Sequence, residues 1–249
     1  MSIKSETFSK ELGYIQNPVI QNFFVNAVEG LPDYFFTVAA SSSGKYHPSY
    51  ALGEGGLVRH TKAAVGIAHD LLGLEQYKLV FSPDKSDLII GALICHDGIK
   101  QGWTGGHTVA EHPLLAAEYL KNGNFGEMPD GYLEIVCGAT SSHMGSWNTA
   151  YKSDKEILPK PYTDLQKFVH MCDYLASRKY LEYVFEQGSI DSRPAPAPQN
   201  PDTFIIPFGK YKGQVFSQVS ADVDYFQWLQ LNVELREPLK TMVDNLLKK

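Results

Sequence analysis

Side chains that bind metal ions recur at widely spaced positions, and each position lies in or at the end of a predicted helix. These residues are His60, the adjacent pair His96-Asp97, His112, His143 and Asp173. Imidazole and carboxylate groups are ligands for Zn, Mn, Fe, Ni or Mg. Helical bundles build metal sites from side chains that project inward from facing helices. The spacing therefore predicts a helical bundle whose interior holds a metal site.

Apolar residues with helical spacing support this bundle. The predicted helices span about 17–29, 56–74, 85–96, 108–121 and 131–142, with a further one starting near Thr163. His60 falls on the same stripe as Leu57 and Ala64, so we expect it to point inward. The spacing of Thr163 and Gln166 matches a capping box, which marks the start of the last of these helices.

Composition changes after residue 187. Residues 192–201 are rich in proline and lack apolar periodicity, as is typical of a linker. A short apolar strand is predicted over 204–206, followed by helices over about 223–231 and 237–247. We therefore predict a mainly α protein: a helical domain over 1–188 with its core at about 50–183, a linker over 189–201, and a small α+β module over 202–249.

Charge, hydropathy and cysteine content narrow the expected partners and compartment. The net charge of −6 does not favour nucleic-acid binding by bulk electrostatics. The sequence has no apolar run of transmembrane length and no charged-then-apolar leader, so we expect a cytoplasmic protein without a membrane partner. Three cysteines without paired spacing, Cys95, Cys137 and Cys172, are expected to be reduced, buried side chains.

The order of the ligand candidates resembles the HD-domain phosphohydrolases, named for their adjacent His-Asp pair. The resemblance covers about residues 50–183. Residues 55–61 resemble the first-ligand helix of that family, and residues 93–100 resemble its core motif. Residues 112–117 and 142–145 resemble the two extra histidine positions of its dinuclear members. The expected fold is therefore an HD-type helical bundle.

The resemblance implies a ligand role for each of these positions. A first metal would be held by His60, His96, Asp97 and Asp173, and Asp97 would bridge to a second metal held by His112 and His143. The expected cofactors are thus two divalent ions, of Mn, Mg, Co, Ni, Fe or Zn. Dinuclear relatives often have two consecutive histidines where this chain has His143-Met144, and methionine is a poor ligand for a hard metal. One or two metals therefore both stay open.

Two residues are candidates for catalysis, Asp97 and Lys100. Lys100 lies four residues after His96, at the lysine position of the family's His-Asp-x-x-Lys motif. The resemblance implies that Lys100 contacts phosphate or links to Asp97. The alternative is an ordinary surface lysine.

Four residues in predicted loops are candidates for substrate contacts. Lys45 and His47 follow a Ser-rich loop, His107 follows a Gly-Gly pair, and Trp147 lies just after His143. Loops next to a scaffold often carry binding residues. Lys45 could attract an anion, and Trp147 could stack on a nucleobase. Each can equally be an ordinary surface or core residue.

The resemblance implies a metal-dependent phosphohydrolase, and the acidic net charge favours a small nucleotide. The expected activity is that of a 5′-(deoxy)nucleoside monophosphatase. Residues 208–213 resemble a small module at the end of some exodeoxyribonucleases and phage proteins, with Lys210, Tyr211 and Lys212 suited to contact a single strand. A 3′–5′ exonuclease is therefore an alternative. A di-iron oxygenase with the same ligand set is another, and the oligomeric state is open.

Overall fold

The chain divides into two compact units, Met1–Asp191 and Ser192–Lys249. The computed structural model describes residues 3–41, 47–150, 152–181, 201–202, 204–206, 208–233, 235 and 239–248. These residues are mainly helical, which confirms the expected class. Residues 189–200 of the predicted linker lie outside the described residues.

Helices form the described part of the first unit. They are α1 (Ile3–Thr7), α2 (Ser9–Leu12), α3 (Pro18–Glu29), α4 (Gly56–Leu72), α5 (Glu75–Lys78), α6 (Pro83–Cys95), α7 (His112–Asn122), α8 (Tyr132–Ser141) and α9 (Asp164–Ala176), with 3-10 turns at Asp33–Phe36 and Ser49–Ala51. The six predicted helices correspond to α3, α4, α6, α7, α8 and α9. Helix α7 begins four residues later than predicted, because Pro113 suits the first turn of a helix and makes Glu111 the N-cap.

Local capping chemistry sets several helix starts. The Asn17 side chain accepts a hydrogen bond from the Val19 amide at the start of α3. At the start of α9, Thr163 accepts from the Gln166 amide, and the Gln166 side chain accepts from the Thr163 amide. The predicted capping box is therefore confirmed. Each such cap satisfies amides that the helix itself leaves unpaired, typically worth about 1 kcal/mol.

Helix α6 lies at the centre of the first unit. Every residue from Asp87 to Cys95 is buried, and the helix packs against α3, α4, α8 and α9. A helix that is apolar all round is stable only inside a protein. Gly91 lets α6 approach α3 closely, since a Cβ at this position would lie 1.9 Å from the Phe24 ring of α3. The end of α6 therefore delivers His96 and Asp97 into the interior.

The second unit has its own small core. Its described helices are α10 (Phe216–Val219), α11 (Val223–Asn232) and α12 (Leu239–Leu247). Their buried residues include Phe216, Phe226 and Val243. These residues form one hydrophobic cluster, and the buried residues of the first unit form another.

The predicted α+β character of the second unit is wrong for its described residues, which form no strand. Residues 204–206 instead make a single isolated bridge, between Ile205 and Val215. The Phe216 amide donates to the Phe204 carbonyl at 2.8 Å, and the Gly213 amide donates to Ile206 at 2.8 Å. A single bridge across a tight turn does not make a strand pair, and even a complete two-stranded hairpin is only marginally stable in water.

Two further expectations concern membranes and thiols. Among the described residues, no helix combines the length and apolar character that crossing a bilayer requires. The cysteines are free thiols; Cys95 and Cys172 are buried and Cys137 is partly buried. Burial raises the pKa of Cys95 to about 12 and that of Cys137 to about 11. These thiols are protonated near neutral pH, as expected of packing residues.

Candidate metal centre

Five separate helices bring the six candidate ligands together. His60 lies within α4, His96 and Asp97 directly follow α6, His112 is the first residue of α7, His143 follows α8, and Asp173 lies within α9. All but Asp173 are at most 3% exposed, and the Asp173 side chain is 15% exposed. Buried charges and imidazoles need partners, because burial alone strongly disfavours a charged group.

The pairing of α4 with α9 sets one side of the cluster. The two helices pack against each other and present His60 and Asp173 to the same interior. The Nε2 atom of His60 lies 2.9 Å from Oδ1 of Asp173. The Nε2 atom of His96 lies 3.5 Å from the same oxygen. Asp173 therefore faces the histidines of both α4 and the end of α6.

Asp97 lies between two pairs of histidines. Its Oδ2 atom is 3.5 Å from Nε2 of His96 and 3.8 Å from Nε2 of His60. Its Oδ1 atom is 2.9 Å from Nε2 of His112 and 3.7 Å from Nε2 of His143. Each oxygen of this one carboxylate thus faces a different pair.

The ligand atoms form three overlapping groups in which every atom lies within 4.8 Å of the others. The groups are His60-His96-Asp97, His96-His143-Asp173 and Asp97-His112-His143. Nitrogen and oxygen donors converging at this distance suit a first-row divalent ion. The cluster could therefore hold a metal ion.

Hydrogen bonds to the backbone fix three of the imidazoles. In His96, His112 and His143, Nδ1 lies 2.6, 2.8 and 2.7 Å from the carbonyl of the residue three positions earlier. A carbonyl only accepts, so Nδ1 carries a hydrogen in each ring, and Nε2 is the nitrogen left to face the cluster. This second contact is the usual way in which proteins orient histidine ligands.

Several atoms at the centre of the cluster are buried without a hydrogen-bond partner. They include Nε2 of His96, Nε2 of His112 and Oδ1 of Asp97. His112 and Asp97 approach to 2.9 Å, but the contact lacks the direction of a hydrogen bond. Lone pairs that face each other in a buried site repel unless a proton or cation lies between them. These residues therefore fit a divalent metal.

The charges of the cluster favour ionised carboxylates. Burial by itself opposes ionisation of Asp97, but Lys100, at 2.5 Å from Oδ2, and His96 outweigh it and hold the pKa of Asp97 well below its ordinary value. Burial likewise opposes ionisation of Asp173, while the hydrogen bond from His60 and the nearby His96 bring its pKa well below the ordinary value. Both carboxylates are thus charged near neutral pH, as metal ligands must be.

The pKa values of two of the histidines, His143 and His96, are shifted in opposite directions by their surroundings. Burial and then the charge of His96 lower the pKa of His143 to about 3, so its ring is neutral. Burial also disfavours a charged His96, but the nearby Asp97 and Asp173 outweigh this effect and raise the pKa of His96 to about 10. Without a metal, His96 therefore holds a proton that metal binding would displace.

A cavity of about 350 Å³ borders the cluster, and five of the six candidate ligands line it: His60, Asp97, His112, His143 and Asp173. Lys100 also lines it, with its side chain only 13% exposed. This position excludes the ordinary surface lysine that the sequence left open. The contact from Lys100 to Asp97 is the link that the family resemblance implied.

The four predicted substrate contacts have different outcomes. His47 and Trp147 line the cavity. The His47 ring lies 5.5 Å from that of His60, and burial, His60 and Lys100 lower the pKa of His47 to about 4. His107 is exposed and does not line the cavity, whereas its neighbour Thr108 does. Lys45 lies outside the described residues.

Four residues of α9 and its end line the cavity without having been predicted as substrate contacts: His170, Tyr174, Ser177 and Arg178. Ser177 lies four positions after Asp173, which places it on the same helical face. His170 lies three positions before Asp173 and donates from Nδ1 to the His143 carbonyl at 2.6 Å. Helical spacing from Asp173 was therefore a usable signal for this part of the wall.

Protein-family models, curated proteins and solved structures were each compared with this chain, and none matches. The class of site thus rests on the residues and their geometry. It is a buried cluster of histidines and aspartates, open to a cavity, that could hold a metal ion.

Proposed function

We propose that this protein is a metal-dependent phosphohydrolase of the HD-domain type that releases phosphate from 5′-(deoxy)nucleoside monophosphates. One observation carries the proposal: the Asp97 carboxylate is shared between two pairs of histidines at the wall of a small cavity. A carboxylate in this position suits two neighbouring cations better than one.

The proposed ligand sets are those that the family resemblance implies, and the contacts within the cluster support them. His60, His96, Asp97 and Asp173 would hold one ion, and Asp97, His112 and His143 would hold a second. Ions bound there would supply a water of lowered pKa and positive charge beside the phosphoryl oxygens. The nitrogen and oxygen donors are compatible with Mn, Mg, Co, Ni, Fe or Zn.

Two cationic side chains are placed to bind phosphate oxygens. Lys100 is fixed by Asp97, and its ammonium has three donors, of which this contact uses one. Arg178 donates to Ser177 Oγ from Nε and from a terminal nitrogen, at 3.3 and 2.8 Å, and keeps further donors. Both groups line the cavity. Fixed cations of this kind stabilise charge that develops on phosphoryl oxygens.

His47 fits a hydrogen-bonding role. Its pKa of about 4 leaves the ring neutral near pH 7, with burial as the main cause. Its Nδ1 atom is buried without a partner. A neutral imidazole can donate to or accept from a substrate oxygen. It is a poor general acid at neutral pH, because the imidazolium form that would release a proton is scarcely populated there.

The size of the cavity favours a mononucleotide over a strand. About 350 Å³ is near the lower end of the range for small-molecule pockets. In the second unit, Lys210 and Tyr211 both contact Asp222, at 2.7 and 2.5 Å. Two of the three residues expected to contact a single strand are therefore paired with an acidic group, which lends the exonuclease alternative no support.

Phosphate release tests the proposal. The purified full chain would be supplied with Mn, Mg, Co or Ni and with nucleoside mono-, di- and triphosphates or a labelled oligonucleotide. We expect release from monophosphates, loss of release after exhaustive chelation, and the same rate with and without oxygen. Undiminished release in chelated protein contradicts the proposal. Metal-bound protein that consumes oxygen and releases no phosphate would indicate the oxygenase alternative.

A further inference from the structure

Three side chains on one wall of the cavity stack on one another, and we name this group the aromatic wall: Trp147, Tyr174 and Arg178. The Trp147 and Tyr174 rings are nearly parallel, at 20°, with centroids 5.6 Å apart. The Arg178 guanidinium lies 4.3 Å from the Tyr174 ring centre and 5.7 Å from that of Trp147. All three residues line the same cavity as Asp97.

The backbone around the aromatic wall is held in place on both sides. Trp147 follows His143 by four residues, and its amide donates to the Met144 carbonyl at 3.1 Å. The next residue, Asn148, is buried, and its side chain donates to the Leu158 carbonyl at 3.2 Å. Tyr174 directly follows Asp173 within α9. The wall is therefore positioned by the same segments that position two metal-ligand candidates.

The exposure of Trp147 distinguishes it from a packing residue. Trp147 is 52% exposed, although it lines the cavity that borders the buried His and Asp cluster. A single exposed tryptophan needs no explanation by itself. Here the ring is backed by a parallel aromatic ring and by a guanidinium, and it borders the cavity that Lys100 and the ligand cluster line. A flat ligand with a π face and an attached anion would use all of these features.

We propose that Trp147 stacks on the base of the nucleotide, and that Tyr174 and Arg178 hold its ring in position. The protein would then select phosphomonoesters that carry a base over plain sugar phosphates. Because every base has a π face, this contact predicts little discrimination among bases. The inference rests on the proposed function for the phosphate end, while base binding itself is measurable without turnover.

The first experiment is a calorimetric titration of the full, metal-loaded chain with adenosine, which has no phosphate to release, and with ribose. Replacing Trp147 by Ala should weaken adenosine binding about tenfold, in line with typical losses of base stacking. Trp147→Phe should retain most of the affinity, since it keeps an aromatic ring. Trp103→Ala is the matched control, because Trp103 is 53% exposed in the same unit but does not line the cavity.

The second experiment compares turnover of adenosine 5′-monophosphate and ribose 5-phosphate. We expect Trp147→Ala to lower kcat/KM for the nucleotide about tenfold, mainly through KM, and to leave the sugar phosphate within about twofold. An equal loss on both substrates overturns the inference and assigns Trp147 a structural role. Adenosine binding that is absent in the wild type, or unchanged in Trp147→Ala, also overturns it. If no monophosphate is hydrolysed, the proposed function fails, and the adenosine titration still decides the role of Trp147.

Discussion

At the scale of single residues, Asp97 faces His60 and His96 through one oxygen and His112 and His143 through the other. Removing a histidine of one pair should therefore affect metal binding differently from removing Asp97, which both pairs share. Without His112, the group His60-His96-Asp97 keeps all of its ligand atoms. Without Asp97, two of the three groups lose a member.

His112→Ala should keep about one metal per chain and lose most turnover, because a second ion is expected to share in binding the phosphate. Elemental analysis of the purified variant, together with phosphate release, checks this result. His69→Ala is a suitable control, since His69 is exposed and stacks on Tyr14 outside the cavity. A wild-type chain that carries one metal, with a fully active His112→Ala variant, would instead indicate a mononuclear site.

Much of the candidate site could be predicted from the sequence, because ligand types stand out on apolar helices. His60 lies on the buried stripe of α4, and Asp173 lies on the buried face of α9. Which of the remaining residues line the cavity depends on the paths of loops, and the sequence does not specify those paths. His107 is exposed while Thr108 reaches the cavity. Arg178 lies just beyond the end of α9, where helical spacing no longer predicts direction.

At the scale of secondary-structure elements, α6 positions the His-Asp pair, and its packing against α3 leaves no space at Gly91. A Cβ at this position would lie 1.9 Å from Cε2 of Phe24, whose ring is fully buried. Side chains in a close-packed core have little freedom to move aside. The fit of these two helices therefore depends on this glycine.

Gly91→Ala should lower the free energy of unfolding by about 2 kcal/mol, because overpacking outweighs the gain in helix propensity. Urea denaturation measures the change. Gly138→Ala is the control, since its Cβ would meet only the Nε2 end of the Gln166 side chain, at 2.8 Å, and displacing that side chain costs no more than about the 1 kcal/mol of its cap. We expect that variant to remain within about 1 kcal/mol of the wild type. A Gly91→Ala variant as stable as the wild type would show that α3 and α6 are packed less closely.

In the second unit, the turn before α10 is tied to the start of α11 by one carboxylate. Hydrogen bonds from Lys210 and Tyr211 lower the pKa of Asp222 from its ordinary 3.8 to about 2. A carboxyl with a lowered folded-state pKa stabilises the fold above its unfolded pKa, and this contribution is lost as pH falls. The loss should therefore occur between pH 3.8 and about 2.

Lys210→Ala should raise the pKa of Asp222 toward its ordinary value, because the largest cause of the shift is removed. An NMR pH titration of the aspartate carboxyl groups in the full chain measures it. Lys212→Ala provides the matched control, as a neighbouring lysine without a role in this shift. If the pKa of Asp222 stays near 2 in Lys210→Ala, the pairing with Lys210 is incorrect.

Helix positions were more predictable than the rest of the fold, because caps and apolar spacing are local signals. Thr163 and Gln166 mark the start of α9 in the sequence, and the structure has the same cap. The strand predicted over 204–206 needed a longer ladder with a partner strand, and the described residues provide only the single bridge to Val215. Strand formation depends on distant pairing that a local pattern does not reveal.

At the scale of the whole molecule, each unit has a separate hydrophobic core. All six ligand candidates and the described cavity belong to the unit Met1–Asp191. A unit with its own core can in principle fold alone. The catalytic chemistry proposed here therefore needs only this part of the chain.

A chain that ends at Asp191 should fold, keep its helical circular dichroism, and retain turnover on nucleoside monophosphates. If the substrate were a strand, truncation should instead weaken oligonucleotide binding and flatten its salt dependence. Both properties are measured on the truncated and full chains side by side. A truncated protein that is insoluble, or inactive on every small substrate, would show that the second unit is required by the first.

Metal content tests the central claim most directly. The full chain would be loaded with Mn, desalted and subjected to elemental analysis, alongside Asp97→Ala and Asp87→Asn. Asp87 is the matched control, because it is also a buried aspartate of the α6 region, but it accepts from the Gln16 and Asn17 amides away from the cluster. We predict bound metal in the wild type and in Asp87→Asn, and none in Asp97→Ala. Equal metal content in the wild type and Asp97→Ala, or none in either, would contradict a metal centre built around Asp97.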